Sequence, residues 1–142
     1  GVTNGAICQE IVELVDLYPT LCNILEIDLP HDKLEGISFL PLVENPDLAW
    51  KKAAFTVCRQ GRHLGKSVRT KSHRYTEWVD YADRDNENAA VRFSEMYDLE
   101  SDSLEQNNLA DILEHAAIQK ELSVLLAGGW EGAIPQLDIR GR

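Results

Sequence analysis

The run Cys58-Arg-Gln-Gly-Arg62 sets a thiol beside two guanidinium groups, and His63 and Lys66 follow at once. A thiolate flanked by arginine suits attack on, or capture of, an oxyanion: the cations favour the ionised thiol, and the guanidinium fork matches sulfate or phosphate oxygens. The phosphatase form of this chemistry needs arginine six residues after the cysteine, and position 64 is leucine. The competing reading is a strand-end thiol beside a solvated basic turn, since motif matches this loose are common. The charge contrast remains. Arg59, Arg62, His63 and Lys66 sit together in a chain of 142 residues with 14 Lys+Arg against 24 Asp+Glu and a net charge of −10. They form either a solvated hairpin tip or a local positive site that draws an anionic substrate.

Other constellations fail on spacing. Asp80, Asp83, Asp85 and Glu87 suggest a calcium loop, but an EF-hand counted from Asp83 needs Gly at position 88 and Glu at position 94, where Asn and Ser stand. His31, His63, His73 and His115 have no metal-ligand spacing, and Cys8, Cys22 and Cys58 form no Cys-x-x-Cys pair. No nucleotide-binding or nucleophile-elbow fingerprint occurs. The acidic balance argues against nucleic acid as a partner, and no run approaches the ~20 apolar residues of a membrane span. The chain opens on Gly1-Val-Thr-Asn-Gly5, without an initiator Met or a leader pattern, so a fragment is expected. With no metal ligands, cofactor site or catalytic residues of its own, the chain reads as an accessory piece of a larger enzyme, or as a freestanding acidic binding or oligomerisation module.

The elements that must position these residues follow from periodicity. Apolar residues at 11, 14, 15, 18, 21, 22 and 25 have helical spacing with one face expected to be buried. Pro19 is comfortable only in a first turn, which predicts a helix over 17–26 capped by Asp16, with a separate turn before it. Residues 27–50 read as an irregular connection. Strands are predicted over 52–58, 64–70, 73–80 and 93–99. In the third, Tyr75, Glu77 and Val79 face one way, and Arg74, Thr76 and Trp78 the other. Lys71-Ser72 is the expected hairpin connection. A helix over 109–127 ends at Gly128-Gly129. The fold class is α+β: a small antiparallel sheet of about four strands, a packed C-terminal helix and an N-terminal helix.

Three segments in order resemble the C-terminal subdomain of sulfatases in the alkaline-phosphatase-like superfamily, with the nearest likeness to iduronate-2-sulfatase and its bacterial relatives. They are Val12-Glu-Leu-Val-Asp-Leu-Tyr-Pro-Thr-Leu21 with Leu34-Glu-Gly-Ile-Ser-Phe-Leu-Pro-Leu42; Gly65-Lys-Ser-Val-Arg-Thr-Lys-Ser-His-Arg-Tyr-Thr-Glu-Trp78; and Glu95-Met-Tyr-Asp-Leu-Glu-Ser-Asp-Ser-Leu-Glu-Gln-Asn-Asn-Leu109. His73 stands where Tyr is usual and Ser103 where Pro is usual. The resemblance implies one domain over 1–142 as part of a larger sulfatase. Residues 1–50 would be a helix and connecting loop packed on an N-terminal catalytic domain, and 51–130 the sheet and C-terminal helix. It implies calcium and a formylglycine in the parent enzyme, both held by that other domain, and a sulfated carbohydrate or other sulfate ester as substrate. No catalytic or metal residue carries over to this chain, and the formylglycine signature Cys-x-Pro/Ala-x-Arg fails at Gln60. By resemblance the loop from Cys58 to Lys66 reaches the pocket rim, with Arg59, Arg62, His63 and Lys66 as substrate contacts.

Overall fold

The β-rich stretch folds as its alternation requires. The computed structural model describes residues 5–29, 34–86 and 88–135. In it, β1 (Ala54–Gln60), β2 (His63–Arg69), β3 (His73–Asp80) and β4 (Phe93–Asp98) form an antiparallel sheet in the order β1-β2-β3-β4. Phe55, Val68, Tyr75 and Met96 lie in one register row across all four strands. On this row sits the helix α3 (Ala116–Gly128), which contributes buried Leu122, with Ile118, Leu125 and Leu126 packed beside it. Val68 and Met96 have no solvent exposure, and Ala53 and Ala133 complete the cluster. At about 25 cal/mol per Å² of apolar surface, this contiguous cluster is the main source of stability for the unit Lys52–Ala133. The two-residue Lys71-Ser72 connection forms as expected, with the Thr70 amide donating to the His73 carbonyl at 2.8 Å.

Two expectations about helices need correction. The last helix starts at Ala116, not at 109. The Asn108 side chain accepts from the backbone amides of Met96 and Ala110, both at 2.9 Å, which holds this segment against β4. Asp111 then takes a left-handed φ of 63°, which ends any helical run through it. Leu109 packs on the core, while Leu113 is 91% exposed. Trp130–Ala133 is a short 3-10 turn whose Ala133 is buried.

The unit Gly1–Lys51 with Ile134–Arg142 is organised differently. A 3-10 turn (Leu14–Asp16) runs into α1 (Leu17–Ile24), with Pro19 in its first turn, and a short α2 (Leu40–Glu44) forms in the stretch read as irregular. Asp16 is fully buried, and its side chain does not cap α1. It accepts instead from the Glu13 and Ile37 amides, each at 2.9 Å, and from the Lys51 ammonium at 2.8 Å. Thr20 bridges the same two segments: its hydroxyl donates to the Asp16 carbonyl at 2.6 Å and accepts from the Phe39 amide at 2.9 Å. Gly36 is obligatory, because a Cβ there would lie 2.0 Å from the Val15 carbonyl oxygen. The expected buried face of α1 is open: Leu14, Val15, Tyr18, Leu21 and Leu25 are exposed and only Cys22 is buried. Helical periodicity shows that an apolar face exists, not what covers it.

Removing one partner of a buried pair leaves the other charge uncompensated. Asp16→Ala should cost about 3–5 kcal/mol of stability in urea unfolding of the intact protein, and exposed Asp47→Ala less than about 0.5.

Candidate functional site

The basic island lies at one end of the sheet, and the strands sort its members. Gln60 pairs with His63, so the β1–β2 connection is only Gly61-Arg62, with Gly61 at a φ of 59°. Most of the stretch from Cys58 to Lys66, expected to be a loop, is therefore strand. Alternation along the strands places Arg59 and Lys66 on the α3 side of the sheet and His63 on the opposite side. Arg62 is exposed in the turn. The four residues thus form no single pocket. Arg62 and His63 do meet, with the Arg62 Nε donating to the His63 Nε2 at 3.4 Å.

Antiparallel pairing brings the end of β3 beside the start of β2 and adds residues that the sequence reading did not single out in this role. The Tyr81 amide donates to the Arg62 carbonyl at 2.7 Å, tying the turn to the chain after β3. The Arg59 guanidinium lies 3.9 Å from the Tyr81 ring centre, and that of Arg84 lies 4.9 Å away. Cations over the face of a ring are an arrangement that its negative face supports. Asp80 faces His63, with 3.7 Å between His63 Nε2 and Asp80 Oδ1, and receives the Arg92 Nε at 2.8 Å. The Arg92 hydrogen bond holds the Asp80 carboxyl below the usual aspartate range; the charges of Arg92, Arg62 and His63 act in the same direction. Trp78 and Phe93 stack beside this end, 5.6 Å between ring centres at 18°, and His63 meets Phe93 edge-on at 5.5 Å. The signal that could have found Asp80 was the strand pairing itself, since a 63–69/73–80 hairpin must place 80 opposite 63.

Among the described residues no three His, Cys, Asp or Glu side chains lie close enough to hold a metal ion. Asp83 and Asp85 are exposed, and Glu87 and His31 lie outside the described residues. Cys8, Cys22 and Cys58 are all free thiols. A cleft of about 440 Å³ opens between the sheet and α3, lined by Tyr75, Asp111, Ile112, Gln119 and Ser123, and includes none of the basic island. Its floor is self-satisfied: Glu77 Oε1 accepts from the Tyr75 hydroxyl at 3.0 Å and from the Ser123 hydroxyl at 2.7 Å. Burial, with the nearby Glu77 charge, raises the Tyr75 hydroxyl above its ordinary pKa. Among the described residues no helix is long and apolar enough to cross a membrane.

The four-stranded antiparallel sheet backed by a C-terminal helix is the fold of a sulfatase C-terminal domain. Residues 1–128 match the N-sulphoglucosamine sulphohydrolase C-terminal family, and the chain belongs to that family. It is similar to an N-acetylglucosamine-6-O-sulfatase of Bacteroides thetaiotaomicron, 32% identical over an aligned length of 136 that covers 89% of this chain and 22% of that protein. It is also similar to human arylsulfatase K, 29% identical over 120 residues, covering 78% of this chain and 20% of the relative. A solved protein in complex with its substrate D-glucosamine-2-N,6-O-disulfate superposes with a TM-score of 0.65 at 25% identity, over 89% of this chain and 25% of that one. The chain therefore spans roughly a fifth to a quarter of the length of these relatives.

Asp80, with its pKa lowered in the fold, stabilises fully above the ordinary aspartate range and loses that contribution as pH falls through the lowered value. In an NMR titration its carboxyl carbon should titrate below the ordinary aspartate range, and Arg92→Gln should return it toward that range.

Proposed function

We propose that this chain is the C-terminal subdomain of a sulfuric ester hydrolase of the iduronate-2-sulfatase-like kind. In this reading it supports a catalytic domain elsewhere in the polypeptide and shapes the mouth of its pocket. The observation that carries the reading is the open apolar face of the first unit. Leu14 is 85% exposed, Leu25 63% and Leu21 55%, with Tyr18, Leu17 and Ile24 beside them in sequence and about half exposed. A chain that works alone rarely leaves so many large apolar groups in water along one short helix and its flanks. A freestanding acidic module would close this surface.

Residues 1–50 then dock on the catalytic domain, and 51–130 present the sheet and the basic hairpin end. Calcium and formylglycine belong to that other domain in this reading. The residues described here fit neither: no metal-binding cluster exists among them, and Cys58 lacks the Pro or Ala that a formylglycine signature requires two residues later. Arg59, Arg62, His63 and Lys66 stand as rim contacts for a sulfated carbohydrate or other sulfate ester. The substrate that the solved neighbour carries, a disulfated glucosamine, supports a sugar over other esters.

Leu17→Glu/Leu21→Glu in the intact protein should lower sulfate release about tenfold or more by charging a buried interface, and in the isolated chain should raise solubility. Unchanged sulfate release would remove the docking assignment. Alanine at Arg59, Arg62, His63 and Lys66 together should raise KM for the sulfate ester and leave kcat near the parent value; an unchanged KM would remove the rim assignment.

A further inference from the structure

On the sheet face away from α3, Gly65, Trp78 and Phe93 occupy one register row across β2, β3 and β4. The indole of Trp78 lies flat over Gly65, where a Cβ would come within 3.0 Å of its ring carbons. A side chain at 65 would lift the indole off the strand. Phe93 stacks on Trp78, yet 45% of it faces solvent. His63 braces its ring edge-on. An exposed phenyl ring fixed on one side by tryptophan and on its flank by histidine is a rigid flat surface, not a free side chain.

Charge stands next to it. Arg92 is paired with Asp80, and Arg84 with Asp85. Arg62, hydrogen-bonded to the same His63 that braces Phe93, makes no direct ion pair among the described residues and feels Asp80 only at longer range. The end of the sheet therefore offers an apolar ring and, beside His63, an exposed guanidinium that forms no close ion pair, in a chain of net charge −10. A long polyanion such as nucleic acid is disfavoured by that net charge, whereas a compact ligand with one apolar face and one anionic substituent satisfies both features.

We infer that Phe93, backed by Trp78 and braced by His63, is a stacking platform for the pyranose ring of a sulfated sugar, with Arg62 receiving a sulfate group. The C–H face of a pyranose carries slight positive charge and lies well on the electron-rich face of an aromatic ring. A ring already held in place loses little entropy on binding. The guanidinium fork takes two sulfate oxygens at once, which lysine cannot do. Phe93 is then a substrate-contacting residue, Trp78 and Gly65 are positioning residues, and His63 braces the ring as well as bordering the rim. This assignment rests on the sulfatase reading and adds to it the sugar ring as the recognised group.

The test is calorimetric titration of the intact protein with D-glucosamine-2-N,6-O-disulfate, with glucosamine as the unsulfated control. The disulfate should bind and glucosamine should bind at least about tenfold more weakly, the worth of one good charged contact. Phe93→Leu should weaken disulfate binding about tenfold, the worth of one aromatic stack, while Phe93→Tyr should stay within about twofold. If Phe93→Leu binds as tightly as the parent and Arg62→Gln binds weakly, the platform is wrong and the rim reading stands. If neither variant changes the affinity, or the parent protein binds no disulfate, both fall. Equal binding of glucosamine and its disulfate would overturn the role given to Arg62.

Discussion

A carboxylate without any contact with water holds the first unit together. Asp16 takes the Lys51 ammonium on both oxygens and, in addition, the amides of Glu13 and Ile37. An isolated buried charge would be untenable, and this one is matched by four hydrogen bonds, enough to offset much of its desolvation. The consequence is geometric. The turn before α1, the strand-like residue Lys51 and the loop at Gly36-Ile37, far apart in sequence, are fixed at one point. Thr20 and Gly36 extend that point, the first by bridging Asp16 to Phe39 and the second by letting two backbones touch. With its polar anchor turned inward, α1 is left with its leucines outward.

That arrangement gives a physical reason for the sequence pattern. Val-Asp-Leu-Tyr-Pro-Thr-Leu and Leu-Glu-Gly-Ile-Ser hold residues that tie backbone to backbone. Asp16, Thr20 and Gly36 are there because they join the two segments. Leu14, Leu17, Leu21 and Leu25 are apolar for another reason, namely a surface that a further part of the polypeptide is proposed to cover. The second unit is self-sufficient by comparison: its core row from Phe55 to Met96 is closed by Leu122 of α3.

The sequence made some of this legible and concealed the rest. β3 could be read to the residue, because Tyr75, Glu77 and Val79 alternate with Arg74, Thr76 and Trp78, and period 2 is unambiguous there. The start of α3 could not. Leu109, Ile112 and Leu113 fit a helical period, and only the Asn108 hydrogen bonds and the left-handed Asp111 show that the chain is pinned to β4 instead. Arg62 and His63 were visible as a basic pair. Asp80 was reachable through the β2–β3 pairing but was read only as part of an acidic loop, and Arg92 and Phe93 were not singled out, since their proximity depends on register across a twelve-residue connection whose composition says only that it is polar. Arg59 and Lys66 looked like partners of that pair along the sequence, and strand alternation places them on the other face from His63.

The account is tested most directly by sulfate release measured on three preparations: the intact protein, this chain alone, and the protein lacking this segment. The account predicts release by the intact protein, none by the chain alone, and little by the truncated protein, with partial recovery when the two pieces are combined. Turnover by this chain alone, or full turnover by the protein without it, would contradict the assignment of a supporting domain whose open apolar face completes a catalytic one.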